Sequence, residues 1–258
     1  MSYPKVALIA GASRGVGAAV ARSLASHSDM RIMINYHQNQ EAAKQLISEM
    51  ETLRTQSGHV KDSQSPTFAA AQADITNRTE MTRLVQQTVE QMGRLDIVIS
   101  NVGWTRMTDF MNLQAADNEE DWDRCFEVNV KSHFRLFRAC QPHLESSEGT
   151  FIATASVAGV KPSGSSLPYA VTKAALIHLI KSLAIIAGPK IRVNSVAPGV
   201  LMTDWGKTFS PDKIQAVQDK NVLKRLATPE DVAEQIRFLA MNRSITGVNA
   251  LIDAGFSL

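Results

Sequence analysis

Seven short apolar runs punctuate the chain: "KVALIAG" (5–11), "RIMINY" (31–36), "FAAAQAD" (68–74), "LDIVISN" (95–101), "TFIATAS" (150–156), "IRVNSVAPG" (191–199) and "NALIDAG" (249–255). They are apolar nearly throughout rather than at every second position, as expected of strands covered on both faces of a parallel sheet. Most are separated by longer segments with apolar residues at helical spacing: 15–27, 40–54, 78–92, 119–141, 167–187 and 229–241. Strand and helix alternating in this way predict an α/β fold. The expected form is a doubly wound, Rossmann-type parallel sheet of about seven strands with helices on both faces. No linker or low-complexity segment interrupts the pattern, so residues 1–258 are expected to form one domain. The polar stretch "TQSGHVKDSQSPT" (55–67) reads as a surface loop. Residues 200–228 follow a strand's C-terminal end, where such sheets bind ligands, and are expected to form a substrate lid.

Composition narrows the partners. The chain has 258 residues, 44% hydrophobic and 20% charged, with a net charge of +2 and scattered Lys and Arg, which gives no footprint for nucleic acid. The longest apolar stretch, "AALIHLIKSLAIIAG", is short for a membrane span and carries Lys181, so a packed helix is expected. The N-terminus lacks the pattern of a secretory signal. Cys125 and Cys140 fall in the one predicted helix 119–141, roughly 22 Å apart at 1.5 Å per residue, too far for a disulfide. Reduced thiols and a cytoplasmic setting are expected. The six histidines have no metal-ligand spacing, and no metal is assigned.

The first strand runs into "GASRGVGAAVA", with Gly11, Gly15 and Gly17. Glycines between a strand and a helix allow a tight turn and let a diphosphate approach the N–H groups at the helix start. The spacing is G-x-x-x-G-x-G, not the more familiar G-x-G-x-x-G. An NAD site normally places a carboxylate after the second strand, to bond the ribose 2′-hydroxyl. Here "NYHQNQ" presents Tyr36 and His37 and no carboxylate before Glu41, while Arg14 offers a guanidinium fork to a 2′-phosphate. Both features favour NADP(H). Further on, Tyr169 and Lys173 stand four apart in "SSLPYAVTKAALIHLIKSLA", on one face of a helix. An ammonium beside a phenol stabilises the phenolate.

Taken in order, "GASRGVG", "AD" at 73–74, "SNVG" at 100–103, Asn129 in "EVNVKSH", Ser156 in "TASVAG", Tyr169 with Lys173, "RVNSVAPGVLMT" and "LIDAGF" resemble the short-chain dehydrogenase/reductase family over nearly the whole chain. The resemblance implies a hydride transfer between nicotinamide and a carbonyl or alcohol carbon. In it Tyr169 would be the general acid or base, Lys173 would bond the nicotinamide ribose and lower the tyrosine pKa, and Ser156 would hold the substrate oxygen. Asn129 would position a water linking Lys173 to solvent. The implied cofactor set comprises Gly11, Ser13, Arg14, Gly15, Val16 and Gly17 in the loop, then Tyr36, His37, Asp74, Ile75, Asn101 and Gly103. Tyr169, Lys173, Pro198, Gly199, Val200 and Thr203 complete it, with Asp74 meeting the adenine and Thr203 the carboxamide. The resemblance also implies a homodimer or homotetramer, in keeping with helices apolar on more than one side, as at Phe134, Leu136, Phe137 and Ala139.

Ala10, Ser100 and Val102 depart from the family pattern, which has threonine at the start of the loop and "NNAG" in place of "SNVG". Ser100 is expected to supply a shorter alternative to the first Asn. Trp104 and Trp205 could line an aromatic pocket or pack against a lid; Met107, Met111 and Met202 could be pocket contacts or core. His133 and Glu127 are read as surface positions, and His178 as a packing or interface residue. Two other readings of the whole chain are an epimerase or lyase of the same family and a non-catalytic dinucleotide-binding regulator. Retention of Asn129, Ser156, Tyr169 and Lys173 weighs against the second, and the end of the chain soon after "LIDAGF" against the first.

Overall fold

In a computed structural model that describes residues 4–27, 29–58 and 67–258, the seven apolar runs become seven parallel strands. They are β1 (Val6–Ala10), β2 (Arg31–Tyr36), β3 (Phe68–Gln72), β4 (Ile97–Ser100), β5 (Thr150–Thr154), β6 (Arg192–Pro198) and β7 (Asn249–Ile252), in the order β3-β2-β1-β4-β5-β6-β7. The order reverses between β1 and β4, so a crevice opens where their connections leave the sheet in opposite directions.

Successive side chains of β1 enter different cores, which is why every position in it is apolar. Ala7 and Ile9 join the core under α1 (Gly15–His27), α2 (Gln40–Gln56) and α8 (Pro229–Met241). Val6, Leu8 and Ala10 join the core under α3 (Arg78–Met92), α5 (Ser132–Ser147) and α6 (Leu167–Ala187). The sheet is thus covered on both faces, as predicted.

Register brings the functional ends level. Ala10 of β1 lies opposite Ser100 of β4, and Ser100 opposite Ala153 of β5. The segments that follow, from Gly11, Asn101 and Thr154, therefore leave the sheet side by side. Helix α6 starts with Ser166, whose hydroxyl accepts the Tyr169 N–H, and with Pro168 in its first turn. It is long and apolar enough to cross a membrane by length and composition alone, yet half of that stretch is buried in the second core.

Two expectations on helices need revision. The predicted helix 119–141 is α4 (Glu119–Phe126), a π turn (Glu127–Lys131) and then α5, which ends at Ser147. Cys125 and Cys140 thus lie on different helices; both are buried and free, as expected. Within 200–228 a further helix, α7 (Pro211–Lys220), forms behind its Ser210 cap. It has no fully buried residue, so no strong apolar face announced it. Of the expected loop 55–67, residues 59–66 lie outside the described residues.

Candidate active site

The connection from β1 to α1 turns at Gly11 and Gly15, whose φ values of +70° and +55° lie in the left-handed region. Gly17 is required for a different reason. A Cβ there would stand 2.3 Å from the Gly11 carbonyl oxygen and 2.8 Å from Ala12 Cα. Asn35, buried at the end of β2, accepts the Gly11 N–H at 3.1 Å and donates to the Tyr36, Ala71 and Ala73 carbonyls at 3.2, 3.3 and 3.0 Å. From the other side Asn101 donates to the Gly11 carbonyl at 3.1 Å. The loop is therefore braced against both neighbouring strands. Sequence reasoning missed Asn35, although a polar residue inside the apolar run "RIMINY" was a signal.

The outer end of the crevice carries Arg14, Tyr36, His37 and Asp74. Asp74 accepts from Thr76 N and Oγ1 at 2.8 and 2.7 Å, and lies 3.8 Å from His37. Burial raises its pKa, but the Thr76 bonds with His37 and Arg124 outweigh that and hold it below the usual value.

At the inner end, Ser156 follows β5 and its hydroxyl accepts the Ala158 N–H at 3.2 Å. Tyr169 and Lys173 face it from α6, with Lys173 Nζ 5.6 Å from the centre of the phenol ring. Burial pushes the Tyr169 phenol up to about 12, against the opposing pull of its hydrogen bond with Ser156. Burial likewise pulls Lys173 down to about 7, partly countered by Cys125. Lys173 is not among the groups that shift the phenol here. The ammonium is directed instead at the Thr154 carbonyl, 2.8 Å away, and desolvation dominates both groups.

Asn129 sits in the π turn, fully buried. Its Oδ1 accepts the Trp104 N–H at 2.8 Å, and its Nδ2 donates to the Trp104 carbonyl and Thr172 Oγ1 at 2.9 and 3.1 Å. A Cβ on Gly103 would lie 3.6 Å from Lys173 Nζ and 3.7 Å from Asn129 Oδ1, so glycine leaves open a space that both polar groups border.

All the predicted site residues except Gly17 and Asn129 line one cleft of about 1780 Å³; those two lie behind its wall. Typical small-ligand pockets hold ~300–1,000 Å³, so this one has room for a dinucleotide with a second molecule. Thr203 meets the glycine loop from the far side, its Cγ2 3.4 Å from where a Gly15 Cβ would stand. Trp205 packs edge-on to Tyr169, ring centres 5.4 Å apart, and the Arg124 guanidinium lies 4.6 Å from the centre of the Trp104 ring. Both tryptophans belong to the cleft wall.

Several side chains are placed differently from expectation. His133 is fully buried, not on the surface, and bonds Ser100 and the Val102 carbonyl. Ser100 does form the expected alternative bond, with His133 as its partner. Met107, Met111 and Met202 are exposed, which excludes core packing; Met107 and Met111 line the cleft. His178 is exposed, whereas Glu127 pairs with Arg135 and Lys131 at the surface of the π turn. Of the four apolar residues at 134–139, Leu136 and Phe137 are core, Ala139 is partly buried against that core, and Phe134 faces outward.

The chain is similar to known proteins over nearly its whole length. Residues 11–257 match a family model described as enoyl-(acyl carrier protein) reductase. A Streptomyces violaceoruber protein of granaticin polyketide synthase, named as ketoacyl reductase 2, is 33% identical over 98% of this chain and 96% of its own. A 7α-hydroxysteroid dehydrogenase solved with NADH and 7-oxo glycochenodeoxycholic acid superposes with a TM-score of 0.85 at 28% identity, covering 97% of this chain and 93% of its own. A short-chain dehydrogenase from Burkholderia cenocepacia J2315, solved with NADP, gives 0.85 at 29% identity, with 98% of each chain covered. The chain belongs to the short-chain dehydrogenase/reductase family and is an oxidoreductase of it.

Proposed function

We propose that this protein is an NADP(H)-dependent carbonyl reductase in which Tyr169, Lys173, Ser156 and Asn129 carry the proton chemistry. The observation that supports it most is the convergence of Ser156, Tyr169 and Lys173 on one cleft whose other end is a glycine cradle. That cradle fits a dinucleotide: two glycines with positive φ precede a helix with no acidic residue in its first turn. When bound, NADPH supplies a hydride for addition to a carbonyl carbon.

Arg14 would pair with the 2′-phosphate, and the absence of a carboxylate at Tyr36 and His37 leaves nothing at those positions to repel it. Asp74 and Ile75 would border the adenine, Asn101 and Gly103 the middle of the cofactor, and Pro198, Gly199, Val200 and Thr203 the nicotinamide. Tyr169, protonated at neutral pH, would deliver its proton to the substrate oxygen while Ser156 donates a hydrogen bond to that oxygen. Lys173 would hydrogen-bond the ribose of the bound cofactor, and the space beside Gly103 would admit a water through which Asn129 links the lysine to solvent.

The substrate is a small-molecule ketone with an apolar body, set against Trp104, Trp205 and Phe256. Residues 1–258 act as one domain in which 200–228 is the substrate lid, carrying Trp205 over Tyr169. A cytoplasmic homodimer or homotetramer would cover Phe134, Ile185 and Ile186, which are 44%, 83% and 74% exposed.

The test is the loss of reduced-nicotinamide absorbance with NADPH and with NADH, against ketones, β-ketoacyl thioesters, quinones and imines. Tyr169→Phe is expected to abolish turnover and to bind NADPH as well as the parent does. Turnover by Tyr169→Phe within about tenfold of the parent would contradict the assignment.

A further inference from the structure

The connection after β4 carries Asn101, Val102, Gly103 and Trp104 between the glycine loop and Lys173, and three side chains hold it. Asn101 is tied to the Gly11 carbonyl at 3.1 Å and Trp104 is clamped at both N–H and carbonyl by Asn129. The remaining anchor is His133, four residues after Asn129 at the start of α5. Its Nε2 lies 3.2 Å from the Val102 carbonyl and its Nδ1 2.7 Å from Ser100 Oγ. A carbonyl only accepts, so Nε2 carries the proton and Nδ1 accepts from the serine hydroxyl. Ser100 and His133 are both wholly buried.

Resting on the proposed reductase reading, we infer that His133, oriented by Ser100, is a positioning residue of the active site. It holds the Val102 carbonyl inward. Val102 then braces the glycine loop, its Cγ1 3.2 Å from where a Gly11 Cβ would stand, and Gly103 turns its open side to Lys173. Burial and the nearby Lys173 charge keep the imidazole down to about 3, so it stays a neutral spacer of fixed tautomer at working pH. The pair Ser100 and His133 does from two strand-and-helix positions what a single longer side chain at position 100 could do alone.

The experiment compares His133→Gln, His133→Leu and Ser100→Ala with the parent. A glutamine amide sets an acceptor beside a donor much as the ring nitrogens do, so His133→Gln is expected to keep NADPH affinity and kcat within about threefold. Each measured loss in His133→Leu should be about tenfold, in NADPH affinity and in kcat, with the ketone KM nearly unchanged, because a buried carbonyl loses its donor and the loop relaxes. Nitrogen NMR of the parent should give a single Nε2–H tautomer that does not titrate from about pH 5 to about pH 9. Ser100→Ala should leave Nε2–H on the Val102 carbonyl but strip the ring of its Nδ1 partner, shifting the ring nitrogen resonances and lowering kcat about threefold, and it decides the matter if His133→Leu does not fold.

A folded His133→Leu with parental affinity and kcat would reduce His133 to a satisfied core residue. So would a glutamine variant as impaired as the leucine one, or a Ser100→Ala with parental kcat. Failure of the reductase reading would look different: the parent itself would turn over no carbonyl substrate. The NADPH titration and the ring tautomer would still report on the loop.

Discussion

Lys173→Met tests the electrostatics of the site in the absence of any substrate. Lys173 is 3% exposed, and burial holds its pKa at about 7 against an ordinary 10.5. Below about pH 7 the lysine is charged in both folded and unfolded chains, and the fold bears the whole desolvation cost. Between about 7 and 10.5 the unfolded chain binds the extra proton and the native state does not, so stability rises with pH through that window. Above 10.5 the cost is gone. The gap corresponds to about 5 kcal/mol at roughly 1.4 kcal/mol per pH unit. Methionine fills similar volume without charge, but it forfeits the bond to the Thr154 carbonyl, worth about 1.5–3 kcal/mol. The expected net gain is therefore about 2–3 kcal/mol at pH ~6, or a Tm higher by about 5–10 °C. At pH ~9 the gain should shrink to about 1 kcal/mol or less. Thermal and urea unfolding of both proteins at the two pH values measure it, alongside loss of turnover. A destabilised variant at pH ~6, or a gain that grows with pH, would refute the reasoning.

Gly17→Ala forces a Cβ to 2.3 Å from the Gly11 carbonyl, so the start of α1 must shift at a cost of about 1–3 kcal/mol. NADPH affinity should fall about tenfold or more in a fluorescence titration, and a parental value would show that this turn is not the cofactor cradle. Arg14→Ala should weaken NADPH about tenfold and NADH by less than about twofold. Equal losses for the two would mean that this arginine does not read the 2′-phosphate.

The strands and most helices were legible because each obeys one simple pattern. In β1 both faces are buried, so its apolar run had no polar positions to confuse the reading. In α3 and α8 the buried residues recur at helical spacing behind Asn77 and Thr228 caps. Helix α7 escaped because it is short and buries no residue fully: Ile214 and Val217 are only partly covered, a weak stripe inside a polar segment. The π turn escaped for another reason. One extra residue in a turn shifts the helical phase without changing composition, so 119–141 read as one helix.

The same distinction separates the parts of the site that sequence reached from those that it did not. Tyr169 and Lys173 are four apart on one helix, and local spacing alone puts them on one face. Ser100 and His133 are 33 residues apart and meet only because β4 and α5 pack together. Buried polar residues at the two ends of the sheet make the functional content of such contacts visible. At the N-terminal end Asp96 accepts the Val6 N–H at 2.8 Å and Thr150 donates to the Arg192 carbonyl at 3.0 Å, bonds that stitch strand to strand. At the C-terminal end Asn35, Asn129 and His133 each make at least one hydrogen bond with loop backbone as well, at Gly11, Trp104 and Val102. A loop that only had to close would not need three buried side chains to fix its peptide groups. One that must hold a glycine turn and a lysine in mutual register does, because an error of a fraction of an ångström at either is felt in the chemistry.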